Sequence, residues 1–226
     1  MRKVLAPLLL VVTALMVLPA GATLVTSISG GTVIPMPVIL PCLAPPDPCY
    51  GPGPQTFGPG ITWSSTNAVN QGGSVFGYAT SYGFLGNGFW SGALGPMAGV
   101  NDSTDFYGST DTMTFAFAST VSSVGGLMNY VPGSSNPTTI AVLDSKGNLI
   151  ESYDLNLLPA LGNVTDVGYF LGFQEPSATI KYFTLTDNYV AITNLTTAAV
   201  PEPSTLLLIG TGLLGAVGYG RRRLGL

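Results

Sequence analysis

The chain has 226 residues and a net charge of −4, and it contains no histidine. Without histidine, Ser-His-Asp and Cys-His catalytic arrangements and histidine-containing zinc sites are excluded. Between residues 23 and 199, two lysines stand against ten acidic residues, a net charge of −8 that would repel phosphate backbones. We therefore expect no nucleic-acid partner and no catalytic residues, and no cofactor unless calcium binds as discussed below.

Residues 1–22 have the three parts of a secretory signal peptide. Arg2 and Lys3 provide a basic start, residues 4–18 are apolar, and Ala20 and Ala22 are the small residues that a signal peptidase requires. We expect a signal helix that directs export and is then removed by signal peptidase. Because the apolar run is long for a signal peptide, an uncleaved anchor is the alternative interpretation.

Residues 23–59 are rich in proline and glycine, which predicts an irregular or extended segment, either a stalk or a loop wrapped on a domain. Cys42 and Cys49 lie within it. In an exported protein such a pair usually oxidises, so we expect a disulfide that closes a small loop. Two free thiols, or a metal pair that lacks its other ligands, are the alternatives.

Residues 60–198 read as short strands separated by turn residues. Met113, Phe115 and Phe117 alternate with small residues, as in a strand with one buried face. Gly125 and Gly126 predict a bulge or close packing in the next strand. Two further strands flank residues 144–148 as a hairpin, and residues 155–161 have the pattern of a single helical turn. We predict an all-β fold, a two-sheet antiparallel sandwich that is jelly-roll-like.

Three aspartates in the middle of the chain are candidate calcium ligands: Asp102, Asp105 and Asp111. Carboxylate oxygens at close spacing suit calcium, but the spacing lacks the central glycine and terminal glutamate of an EF-hand. Turn chemistry explains the same residues equally well, because Asn, Asp and Ser favour loops. The alternative is therefore a solvated loop without a metal.

Aromatic and acidic residues offer two other possibilities. Tyr82, Phe89 and Trp90 lie in a Gly-rich stretch where they would stack on sugars if exposed, although aromatic residues usually pack inside. Glu151 and Asp154 are three apart on a predicted strand, which places them on opposite faces and is poor geometry for a glycosidase pair. Sequence alone leaves open whether Glu175 pairs with another carboxylate such as Asp166.

The C-terminal residues 199–226 combine three features in order. A four-residue motif with two prolines comes first, an apolar run over residues 206–219 follows, and a cluster of three arginines comes last. The prolines of the motif keep the backbone extended, as a protease active site requires. A 17-residue helix over 204–220 would span about 26 Å, close to the roughly 30 Å of a hydrocarbon core. The motif consists of Val200, Pro201, Glu202 and Pro203, and the cluster of Arg221, Arg222 and Arg223.

These arginines would hold the C-terminus of a transmembrane helix in the cytoplasm, which leaves the motif and the domain outside. The three features resemble the PEP-CTERM sorting signal of Gram-negative bacteria. That resemblance implies recognition by exosortase, an integral-membrane enzyme similar to Cys transpeptidases, and then removal of the helix. A plain tail anchor with a chance Pro-Glu-Pro is the alternative.

Residues 121–130, 139–144 and 147–152 are similar to recurring segments of PEP-CTERM passenger domains. The resemblance implies a jelly roll related in shape to lectin and carbohydrate-binding modules, without an established activity. Such proteins often close with Asp-Asn-Leu, whereas this chain has Thr193, Asn194 and Leu195, which weakens an acidic ligand role there.

Together these observations predict a non-enzymatic exported protein with a structural or adhesive role at the cell surface or in the exopolysaccharide matrix of a biofilm. It would pass through an inner-membrane intermediate held by a transient C-terminal helix. Its expected partners are signal peptidase, exosortase, and an exopolysaccharide or surface glycan. The alternative is a secreted carbohydrate-binding module, with or without calcium, and a hydrolase that uses carboxylates alone is disfavoured.

Overall fold

A computed structural model describes residues 22–39, 53–67, 74–101, 110–133, 137–187 and 189–199, and these residues form a mostly β structure. The strands in this part of the chain are β1 Thr23–Val25, β2 Thr32–Val33, β3 Gln55–Phe57, β4 Ile61–Ser65, β5 Ser74–Tyr78, β6 Tyr82–Gly83, β7 Phe89–Trp90, β8 Met97–Asn101, β9 Asp111–Val121, β10 Ser123–Tyr130, β11 Thr139–Leu143, β12 Leu149–Asp154, β13 Tyr169–Gln174, β14 Ile180–Asp187 and β15 Tyr189–Ala198. Single 3₁₀ turns occupy Leu85–Asn87 and Leu155–Leu157.

Thirteen of these strands form two antiparallel sheets that pack face to face, and β6 and β7 form a separate two-stranded hairpin. The first sheet has the order β1-β13-β10-β15-β8-β5, and β2 also pairs with β15 beyond the end of β8. The second sheet has the order β12-β11-β14-β9-β4-β3. Along the chain from β8 to β15, successive strands alternate between the two sheets, except that the hairpin of β11 and β12 lies within the second sheet. Most connections therefore cross from one sheet to the other. The all-β antiparallel sandwich predicted from the sequence is confirmed.

Strand β9 shows why the two sheets stack. Met113, Phe115 and Phe117 are 0, 0 and 3% exposed, and the residues between them are half-buried or more exposed. The period of two places these three side chains on the inner face. There they belong to one apolar cluster with Val124 of β10 and Phe173 of β13 from the opposite sheet. Burial of this shared apolar surface is the main favourable term that holds the sheets together.

A second apolar cluster covers part of the outer face of the first sheet. Along β15, Val190 and Ile192 point to the main core, whereas Ala191 belongs to this second cluster. The cover is the hairpin of β6 and β7, whose aromatic residues include Phe84 and Trp90 with ring centroids 4.9 Å apart. One sheet is therefore buried on both faces over part of its area.

The sequence predicted a bulge or close packing at Gly125 and Gly126, and the structure has both, with the extra residue of the bulge on the neighbouring strand β15. The pairing of β10 with β15 shifts register between Gly125 and Leu127. A Cβ on Gly126 would meet the Ile192 side chain at 2.7 Å, and one on Gly125 would meet the backbone oxygen of Leu171 at 2.6 Å. Both glycines are required because neighbouring strands leave no room for a side chain.

The strands of the sandwich begin before residue 60, the predicted boundary of the β domain. β1 pairs with β13, β2 with β15 and β3 with β4, so parts of the Pro/Gly-rich segment complete both sheets. Ile34, Met36 and Phe57 are buried in the main core. The segment is therefore partly built into the fold, which its proline content obscured.

The predicted hairpin of β11 and β12 also forms, with Gly147 at φ 81° in the connecting turn. The predicted helical turn is present over Leu155–Leu157 as a 3₁₀ turn. The expected signal helix and C-terminal transmembrane helix lie outside the described residues. Among the residues that are described, no helix is long and apolar enough to cross a bilayer.

Candidate functional site

Asp111, one of the three proposed calcium ligands, begins β9 and is held by neighbouring side chains. The Thr66 hydroxyl donates to Oδ1 at 3.0 Å, and the Asn67 amide donates to Oδ2 at 2.8 Å. Both carboxylate oxygens therefore fasten the residues that follow β4 to the start of β9. Asp102 and Asp105, the other two candidates, lie outside the described residues.

The backbone register sets a second aspartate beside this position. Asp111 of β9 is directly opposite Asp187 of β14. Like charges in directly opposed positions destabilise a sheet unless something compensates for them. In the parts of the chain that the structure describes, no three His, Cys, Asp or Glu residues lie close enough to hold a metal ion.

The aromatic residues considered for sugar stacking are mostly internal. Trp90 is completely buried and its indole nitrogen donates to the Val167 carbonyl at 3.1 Å. Tyr82 is 8% exposed and packs against Tyr189, with ring centroids 5.2 Å apart. Phe89, at 42% exposure, presents part of its ring to solvent. Trp90 and Tyr82 therefore pack inside the domain, and neither can stack on a sugar unless the domain unfolds.

The structure brings together two carboxylates that the sequence did not pair. Glu175 follows β13 in the first sheet and is 7% exposed, and its Oε1 has no hydrogen-bond partner among the described residues. Burial raises the pKa of the Glu175 carboxyl above its ordinary value, and the negative charge of Glu151 on β12 raises this pKa further. The two residues lie on different sheets, so strand periodicity gave no signal that they are neighbours.

Asp166 and Asp154, the other acids considered, have structural partners. Asp166 accepts hydrogen bonds from the backbone nitrogen of Ser91 at 2.7 Å and from its hydroxyl at 2.6 Å, which lowers the pKa of Asp166. Asp154 accepts from the backbone nitrogen of Asn156 at 2.9 Å and caps the 3₁₀ turn. Asp166 is therefore held by hydrogen bonds to Ser91, the residue after β7. The carboxylate that affects Glu175 is Glu151 and not Asp166.

The raised pKa of Glu175 gives a stability prediction. Because the folded protein holds this proton more tightly than the unfolded chain, stability falls as pH rises from the ordinary value of 4.5 through the raised pKa. We expect Glu175→Gln to raise the melting temperature at pH 7 and to weaken this decline. Thermal unfolding monitored by circular dichroism between pH 4 and pH 8 measures both effects.

Asp144→Asn is the control with the opposite sign. Hydrogen bonds from the Asn148 side chain and backbone lower the pKa of Asp144, so its contribution is present above about 3.8 and is lost as pH falls. This variant should be less stable than the parent at pH 7. If Glu175→Gln lowers the melting temperature at pH 7 as well, burial of an unpaired carboxylate is not the correct description of Glu175.

Both ends of the sandwich sequence lie in one row across the first sheet. Thr23 of β1 is opposite Gln174, Gln174 is opposite Ser123, and Ser123 is opposite Ala198 of β15. Three interstrand spacings of about 4.8 Å separate Thr23 from Ala198 by roughly 14 Å. The chain therefore enters and leaves the sandwich at the same end.

Two clefts flank the point where the chain leaves. One has a volume of about 460 Å³ and is mainly apolar, with Val33, Pro59, Phe117 and Ala199 among its lining residues. The other has about 420 Å³ and is lined by Ser29, Ser123 and Gln174 among others, and again by Ala199. Glu151 and Glu175 line neither of these two clefts.

Ala22, on the predicted signal-peptidase side of Thr23, is 9% exposed, while Ala20 lies outside the described residues. The same holds for Cys42 and Cys49, so their disulfide stays a prediction. The sorting motif Val200, Pro201, Glu202 and Pro203 and the cluster Arg221, Arg222 and Arg223 also lie outside that part of the chain. Residue 199 is the last described position before the motif.

Comparison with known proteins identifies the segment that begins at residue 199. Residues 199–223 match the family model of the PEP-CTERM protein-sorting motif, which is the recognition signal for exosortase. The curated proteins give no match to the chain. The motif marks an exported protein that exosortase targets and processes, in agreement with the resemblance seen in the sequence. This chain therefore carries a PEP-CTERM protein-sorting motif at residues 199–223, directly after the last strand of a β-sandwich.

Proposed function

We propose that, after export and processing, the sandwich has a non-catalytic structural or adhesive role at the cell surface or in the exopolysaccharide matrix. One observation carries this proposal: both expected trimming points lie just outside the sheets. β1 begins at Thr23 and β15 ends at Ala198. Trimming at Ala22 and near Pro201 would therefore release a sandwich with every strand of both sheets.

The finer fold class is part of the same proposal. The eight strands from β8 to β15 have the order β8-β15-β10-β13 in one sheet and β9-β14-β11-β12 in the other. Two Greek keys rolled into a double sheet produce this order, so we assign the domain to the jelly-roll class. Proteins of this architecture include lectin domains, which supports an adhesive role by analogy of fold alone.

Fractionation of a culture that makes the protein tests the structural role. We expect the mature protein in the matrix or outer-surface fraction, and we expect it to cosediment with exopolysaccharide purified from the same culture. A version in which the sorting motif residues 200–203 are replaced by alanine should stay with the inner membrane. Recovery of the mature protein only as a free species in the medium, without cosedimentation, would oppose the proposal.

A calcium-assisted carbohydrate-binding module is the second candidate, and the opposed pair Asp111 and Asp187 favours it. Asp102 and Asp105 precede Asp111 by nine and six positions in the sequence. Carboxylate oxygens are the ligands that calcium prefers, and a bound cation offsets repulsion between like charges. A glycan array probed with and without a chelator separates the candidates: binding that the chelator removes supports calcium assistance, and absence of binding supports a structural role.

Asp111→Asn and Asp154→Asn form a matched pair for the same question. If calcium binds near Asp111, the ion should raise the melting temperature of the parent and of Asp154→Asn, with little effect on Asp111→Asn. Equal responses in the two variants, including equal absence of a response, would remove Asp111 from any calcium site.

A further inference from the structure

The end of the sandwich where the chain leaves, here named the exit end, is the end that holds Thr23 and Ala198. Strand β9 also ends here, since the backbone nitrogen of Ser122 donates to the Ala198 carbonyl at 3.0 Å. The turn between β3 and β4 lies beside it, where the Ala118 nitrogen donates to the Gly60 carbonyl at 2.7 Å. The exit end is therefore a surface made by both sheets.

The sorting motif is unusually close to this surface along the chain. Ala198 is the last residue of β15, and Val200 begins the motif, so Ala199 alone separates them. The four residue-to-residue steps from Ala198 to Glu202 span at most about 14 Å even when the chain is fully extended. An enzyme that binds Val200 to Pro203 in its active site must therefore bring its own surface against the exit end.

The larger cleft lies at the place where that enzyme surface must sit. It runs from β2 across the β3–β4 turn to the end of β9, and Ala199 forms part of its wall. Val33 is 55% exposed there, and Pro59 is exposed beside it. The residues described as lining the cleft include no charged side chain. Such a groove fits an apolar protein loop, and it offers no charged side chain to pair with the headgroups of lipids.

We propose that this apolar groove at the exit end is a docking surface for exosortase, which reads the folded sandwich as well as the sorting motif. The proposal rests on processing by exosortase, as the motif indicates. Docking would add binding energy to that of the short motif and would place the motif in the active site with little loss of chain entropy, since the tether is only one residue long.

The test compares single substitutions in the full-length chain, expressed in cells that contain the exosortase. Val33→Asp puts a charge into the groove at an exposed position, and Pro59→Asp does so from the neighbouring turn. Leu157→Asp is the matched control, because Leu157 is 72% exposed and follows β12 at the opposite end of the sandwich. The readout is the half-time for conversion of the membrane-bound precursor to the mature form after a pulse of labelling.

We expect Val33→Asp and Pro59→Asp to convert at least about fivefold more slowly than the parent, with Leu157→Asp unchanged. Equal half-times for all four chains would overturn docking while leaving the sorting function intact. A parent chain that never converts would instead contradict processing by exosortase. Melting temperatures of the variants show that folding is preserved, and Pro59→Asp supplies a second substitution if Val33→Asp lowers stability.

Photo-crosslinking identifies the partner directly. A photoreactive phenylalanine analogue at position 33, in cells with a catalytically inactive exosortase, should form an adduct with exosortase, and the same analogue at position 157 should not. An adduct from position 33 with lipid or with a second copy of the chain, without one to exosortase, would overturn the proposal.

Discussion

Replacement of Pro201 and Pro203 by alanine is expected to slow conversion of the precursor by exosortase at least about tenfold, which corresponds to about 1.4 kcal/mol of lost transition-state stabilisation. The two prolines fix φ and remove backbone donors, so they hold the motif extended for a protease active site. Alanine would allow the helix predicted over residues 204–220 to extend back through the motif. Pulse labelling followed by electrophoresis measures the conversion.

Pro45→Ala with Pro46→Ala is the control for this pair. These neighbouring prolines lie in the Pro/Gly-rich segment, far along the chain from the motif. Their replacement should leave the rate of conversion within about twofold of the parent. Conversion of the Pro201 and Pro203 variant at the parent rate would mean that exosortase does not depend on an extended Pro-Glu-Pro backbone.

The second large effect is expected from Phe115→Ala in the main core. Phe115 is completely buried, and its ring lies 6.2 Å from that of Phe57 and 6.3 Å from that of Phe183. Truncation of a buried phenylalanine costs about 3–5 kcal/mol, because apolar contacts are lost and a cavity remains. For a domain of this size, that loss lowers the melting temperature by about 10 °C. Thermal unfolding of the purified mature protein measures the shift.

Phe89→Ala provides the comparison for the same residue type outside the core. Phe89 is 42% exposed, so its truncation should cost less than about 1 kcal/mol. Similar shifts in melting temperature for the two variants would show that the stability of the sandwich does not depend on the inner face of β9.

Local sequence patterns were sufficient where one strand or one turn determines the answer. The alternation at Met113, Phe115 and Phe117 predicted the inner face of β9, because side chains in a strand alternate regardless of the neighbouring strands. Gly147 predicted a turn because its positive φ favours glycine. Gly125 and Gly126 predicted a bulge or close packing, because glycine leaves room where neighbouring strands approach closely. The sorting motif was also recognised from its order of features alone.

Features that depend on pairing between distant segments were not predictable from the sequence. β1 and β2 are two or three residues long and join the first sheet through partners more than 140 residues away. Their local composition is that of an irregular segment, so no pattern marked them as strands. The electrostatic effect of Glu151 on Glu175 has the same origin, since it requires the two sheets to be stacked before the two carboxylates are neighbours.

The groove at the exit end could not be predicted from the sequence either. Val33, Pro59 and Phe117 are separated by 26 and 58 positions in sequence, and they line one cleft only because β2, the β3–β4 turn and β9 end together. The sequence identified the enzyme that processes the chain, whereas the surface that we propose it contacts follows from the topology of the sheets.

The intact mass of the protein recovered from the outer fraction of a culture tests most directly that the chain is exported and trimmed to its sandwich. We expect a single species whose N-terminus is at or near Thr23 and whose C-terminus is near Pro201. A recovered protein whose mass still includes Arg221, Arg222 and Arg223 would contradict removal of the C-terminal segment by exosortase.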